Sequence, residues 1–169
     1  MPASTPASGP SLDPIFQNHA DPALEALLPA TVSGTNMHRY SLTLTQVLDA
    51  GGDRVGITAF LESMDKTEAD GSFASAFDPT STVAGGINAF KVAGADGAAL
   101  LAGIAAIEAS DLGAGAVSEQ MIVGDKSVTV VSVGDGVNDT KWIYGHGDVV
   151  FVVHSPDETQ AAAYLTALP

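Results

Sequence analysis

Residues 141–169 read KWIYGHGDVVFVVHSPDETQAAAYLTALP, and this stretch decides the fold. Two strand-like runs, 140–144 and 149–154, flank Gly145-His146-Gly147-Asp148 and predict a hairpin. Ser155-Pro156-Asp157-Glu158 then opens a helix. The Ser155 hydroxyl has the spacing to bond the third helical amide, Glu158 to reach back, and Pro156 sits where a missing N–H is harmless. Tyr164, Leu165 and Leu168 face inward from that helix. A hairpin followed by a capped helix points to an α+β domain.

The pattern extends upstream. Segments 119–123 and 126–133 are joined by Gly124-Asp125, a two-residue hairpin signal. Asp96 caps an Ala-rich helix whose apolar stripe is Leu100, Leu101, Ile104 and Ile107. Segments 72–77 and 87–93 read as strands, the second with Asn88, Phe90 and Val92 on one face. Before them, Ile57, Phe60, Leu61 and Met64 recur at helical spacing. Thr43 and Gln46 have capping-box spacing, strand 36–42 precedes them, and Asp21-Pro22 starts a short helix. The expectation is one α+β domain over residues 21–169, a mainly antiparallel sheet with its helices on one face.

An offset of 61 residues places Phe90 on Phe151, Val92 on Val153, Asp96 on Asp157 and Ile104 on Leu165. A degenerate β-β-α internal repeat gives this spacing, and so does any strand followed by a capped helix. A true repeat would put both helices on the same face of one sheet.

Residues 1–20 are rich in Pro, Ser, Thr and Ala, with little to bury, and read as a flexible leader. Leu12, Ile15 and Phe16 are its exceptions, with Ile15 and Phe16 placed to dock on the sheet.

The chain has 169 residues, no cysteine and a formal net charge of −14, with only six Lys and Arg. Nucleic-acid binding draws its affinity from neutralised phosphates, so this balance excludes DNA and RNA as partners. Anionic membrane surfaces are disfavoured for the same reason. No apolar run approaches the ~20 residues of a membrane span, so the chain itself is not expected to insert.

Catalytic signatures are missing. There is no thiolate, no Gly-x-Ser-x-Gly elbow, no phosphate-binding Gly-rich loop and no His-Glu-x-x-His. No cofactor or metal is expected. The acidic groups Glu62, Asp65, Glu68 and Asp70, and Asp135, Asn138 and Asp139, miss the spacing of a calcium loop. His38 and His154 become neighbours if their strands pair. The ligand-binding candidates are Trp142, Tyr144, His146, Asp148 and His154. Trp142 and Tyr144 alternate on one strand and either line a groove or pack beneath a helix. His146 and Asp148 offer a nitrogen and an oxygen from one turn, or simply suit its backbone.

The stretches ALEALLPATVSGTNMHRYSLT, GGINAFKVAGADGAALLAG, IVGDKSVTVV and YGHGDVVFVVHSPDETQAAAYLTALP resemble a group of uncharacterised lipoproteins of high-GC bacteria. Those proteins carry a Pro/Ser/Thr spacer behind a lipidated cysteine, then one domain of this pattern. The resemblance implies an extracytoplasmic, envelope or secreted location with a lipid tether upstream, and it brings no activity. The expected function is a non-catalytic module binding a protein or small-molecule ligand. The alternatives are a small metal-dependent or acid–base hydrolase using His146, Asp148 and His154, and a cytosolic regulatory interaction domain.

Overall fold

A computed structural model describes residues 13–81, 85–134, 140–155 and 157–169. The chain is a single α+β domain. In order it forms α1 (Pro22–Glu25), β1 (Thr31–Val32), β2 (Thr35–Asn36), β3 (His38–Thr43), α2 (Leu44–Asp49) and α3 (Arg54–Glu62). There follow β4 (Gly71–Phe77), β5 (Gly86–Val92), α4 (Gly97–Leu112), β6 (Ala116–Val123), β7 (Lys126–Val133), β8 (Lys141–His146), β9 (Val149–His154) and α5 (Glu158–Thr166). β1 and β2 form a small hairpin, and the other strands form one antiparallel sheet in the order β3-β4-β5-β9-β8-β7-β6.

The central strand β9 explains the layering. Val149, Phe151 and Val153 lie in one core, while Val150 and Val152 lie in another. A continuous apolar run of this kind needs both of its faces covered. α1 and α5 cover the first face, and α2, α3 and α4 the second. The expectation of helices on one face is therefore corrected: the sheet lies between two helical layers. The repeat reading falls with it. Phe90 packs with the second core and Phe151 lies in the first, so the matched helices α4 and α5 sit on opposite faces.

Several boundaries form where local chemistry places them. The Asp21 side chain accepts from Leu24 N at 3.0 Å and Asp96 from Ala99 N at 2.9 Å. The Thr43–Gln46 capping box is complete, with both hydrogen bonds formed. The final helix differs. Asp157 caps it by accepting from Gln160 N at 2.8 Å, so α5 starts two residues later than the Ser155 reading. Ser155 is buried instead, and its hydroxyl donates to Asp157 O and contacts Gln160 Oε1. Asp is as good a cap as Ser, and the later position satisfies both side chains. Pro156, Asp135, Asn138 and Asp139 lie outside the described residues.

Residues 13–20, read as the end of the leader, lie against the edge of β3. Ser41 N donates to Asn18 O and Ala20 N to Ser41 O, closing part of that edge in parallel pairing. Phe16 sits edge-on to Tyr40 and Phe77, with centroids 5.2 and 5.4 Å away. The domain thus begins earlier along the chain than composition indicated.

Candidate functional site

Trp142, Tyr144, His146, Asp148 and His154 do not converge. Trp142 is 6% exposed in the core beneath α5, and its Nε1 has no hydrogen-bond partner among the described residues. Tyr144 is half-buried on the same face, stacks on Phe151 and donates its hydroxyl to Pro169 O at 3.1 Å. His146 is exposed and ends β8 on that face. The turn itself is Gly147-Asp148, shorter than the four residues expected, and Gly147 adopts φ 62° there. Asp148 secures this turn to the end of β5, its main-chain oxygen accepting from Val92 N and its carboxylate from Gly94 N.

His154 belongs to the opposite face, because side chains alternate along β9. It pairs across the ladder with Lys141, whose Nζ lies 2.9 Å from His154 Nδ1. An ammonium can only donate, so Nδ1 accepts and the ring is neutral with its proton on Nε2. Burial first, then the Lys141 charge, push the His154 pKa down to about 4. The Asn88 amide lies 3.0 Å from Nε2, and a donating Nε2 requires the amide oxygen on that side. His38 is not beside His154. β4 and β5 separate their strands, and His38 Nε2 lies 2.7 Å from Phe16 O.

Two of the acidic positions that follow α3 have local partners. Glu68 receives Arg54 at 2.6 Å, and Asp70 accepts from Thr67 N at 2.8 Å. Among the described residues, no group of His, Asp and Glu is arranged to hold a metal ion. No helix among them is long and apolar enough to cross a membrane.

The α2–α4 face carries an arrangement that motif reasoning missed. The chain has six phenylalanines. Five of them, Phe16, Phe60, Phe73, Phe77 and Phe90, are half-buried on this side of the fold, together with Tyr40 and His38. The rings form a connected series. Phe77 meets Phe16 and His38, Tyr40 meets Phe73 at 6.2 Å, and Phe73 meets Phe90 edge-on at 5.2 Å. The signal was present as Phe73, Ser75 and Phe77 alternating with Ala74 and Ala76. On β4 the small alanines face the α1–α5 core, and the large rings face the other side.

Phe90 joins this series to a groove between α2–α3 and α4. The groove holds about 510 Å³, within the usual ~300–1,000 Å³ of small-molecule sites. Val47, Ile57, Phe60, Phe90 and Ile107 give it apolar walls, and Asp53, Glu108 and Asp111 also line it. Close helix approach shapes one wall. A Cβ on Gly103 would fall 1.9 Å from Phe60 Cε2, so only glycine lets α4 lie against that ring. Asp53 is engaged as the α3 cap, accepting from Gly56 N at 3.1 Å. Glu108 makes no hydrogen bond or ion pair among the described residues, and burial raises its pKa against the opposing pull of Lys141. A more open depression of about 630 Å³ lies between the β1–β2 hairpin and α5, where Asp157 is already committed as a cap.

Comparison with known proteins finds no matching family model, no matching curated protein and no matching solved structure.

Proposed function

We propose that this chain is a non-catalytic binding module of the cell envelope, and that its ligand lies in the groove between α3 and α4. The observation that carries the reading is the groove itself. Seven large apolar side chains line it, and all but Phe90 come from helices (Val47, Leu48, Ile57, Phe60, Ile104 and Ile107), so rigid elements hold a partly exposed apolar surface open. Apolar surface shaped into a concavity is what a small ligand with an apolar body needs. The hydrolase alternative loses its geometric basis, since His146 and His154 lie on opposite faces of the sheet. The envelope location rests on the lipoprotein resemblance and on the Pro/Ser/Thr-rich start of the chain.

The test uses N-phenyl-1-naphthylamine, a neutral apolar fluorophore. Its emission should rise on the full chain and fall back when Ala106→Trp fills the groove. Ala106 is exposed and lines the groove, so the substitution leaves the core intact. Unchanged emission with a folded Ala106→Trp protein would place apolar binding elsewhere and overturn the reading.

A further inference from the structure

We infer that the groove between α3 and α4 takes an amphipathic cation: an apolar body seated on Val47, Ile57 and Ile107, with an ammonium head held by Glu108 and Asp111 beside the Phe60 and Phe90 rings. This deepens the binding reading above and rests on it. Two features of the groove agree on the charge of the head.

The first is the acidic pair. Glu108 and Asp111 are three residues apart on α4, so their side chains share one face of that helix. Both line the groove, and neither makes a hydrogen bond or ion pair among the described residues. Lys141 acts on Glu108 as an opposing charge without forming an ion pair with it, its Nζ lying 2.9 Å from His154 Nδ1. Glu108 is half-buried, so its charge sits in a site where water compensates it poorly. Asp111 acts on it as a further like charge. A ligand cation relieves both problems at once, whereas a carboxylate or phosphate head would add to them.

The second is the aromatic lining. Phe60 and Phe90 both line the groove, and aromatic rings attract cations through the negative potential of their faces. An ammonium with methyl or alkyl substituents gains from such rings as well as from the carboxylates, and it loses less hydration on entry than a compact ammonium ion. The apolar remainder of the molecule is then placed against Val47, Ile57 and Ile107. The ligand class is therefore a small organic amine or quaternary ammonium with an apolar body.

The experiment compares three probes with one tail on the full chain: decyltrimethylammonium, decanol and decanoate, each below its self-association concentration. Titration calorimetry should show the cation binding one site at least about tenfold tighter than decanoate. Glu108→Gln with Asp111→Asn should remove about tenfold of that preference while leaving decanol unchanged. Asp125→Asn, which removes an exposed charge on the β6–β7 turn, should leave the preference intact and so exclude a general effect of the −14 net charge. If all three probes bind equally and the double variant changes nothing, the cation assignment is overturned and the groove stands. If no probe binds the parent, or Ala106→Trp changes no affinity, the groove reading itself fails. Melting curves of each variant confirm that the chains compared are folded.

Discussion

Lys141 and His154 face each other across the β8–β9 ladder, with Nζ 2.9 Å from Nδ1. The contact exists only with a neutral imidazole. Unfolding frees the ring to titrate near 6.5, whereas in the fold it titrates at about 4. Between those values the unfolded chain binds the extra proton, so stability falls as pH falls through this window and levels off below about 4. The loss from this group is on the order of 3 kcal/mol. His154→Gln should flatten the stability–pH curve there, measured by urea unfolding at several pH values. An unaltered slope in the variant would assign the acid sensitivity to other groups.

Glu108 has the opposite sign. Burial raises its pKa in the fold, so the folded chain holds that proton more firmly than the unfolded one. Stability is then lost as pH rises through the raised value, and the ionised form is destabilising at neutral pH. Glu108→Gln should raise the melting temperature at pH 7, with the difference shrinking as the solution is acidified. A lower melting temperature at pH 7 would mean that the carboxylate is held by partners in the fold.

Leu165 and His146 separate packing from exposure. Leu165 is fully buried in the α1–α5 core, and His146 is exposed at the end of β8. Leu165→Ala should cost about 2–5 kcal/mol. His146→Ala should change stability by no more than about 0.5 kcal/mol. Urea unfolding of the two variants checks the order, and a larger loss from His146→Ala would show that the turn histidine holds structure.

Phe16 tests whether the segment before α1 belongs to the domain. Its ring contacts Tyr40 and Phe77, and residues 18–20 pair with β3. Phe16→Ala should destabilise by about 1 kcal/mol. Deleting residues 1–12 should cost little by comparison with deleting residues 1–20. Equal melting temperatures for the two truncations would return residues 13–20 to the leader.

Asp21 ties α1 to the sheet. Burial acts to raise its pKa, but hydrogen bonds from Ser72 and Leu24 N and the Lys91 charge outweigh that and lower it. Asp21→Ala removes both the α1 cap and the 2.7 Å contact with Ser72 Oγ. A loss of about 1–2 kcal/mol is expected by urea unfolding at pH 7. The effect should diminish in acid, as the carboxylate in the parent protonates.

Element order and many boundaries were determined by the sequence alone. Asp21, Thr43 with Gln46, and Asp96 cap helices because a side-chain oxygen within three residues satisfies a free amide, and nothing distant is needed. Gly124-Asp125 turns the β6–β7 hairpin for an equally local reason. The choice between Ser155 and Asp157 was less local, because both suit a cap and the burial of Ser155 decided it. Tertiary structure alone decided which face each helix covers. A period of two says that Phe90 and Ala89 point apart, but not which of them meets α4, since the connection after a strand can cross to either side. The two-residue turn of the β8–β9 hairpin set His146 and His154 on opposite faces, and the placement of the helices brought Phe60, Phe90, Glu108 and Asp111 to one groove. These residues are far apart along the chain, and no local spacing records the packing that joins them.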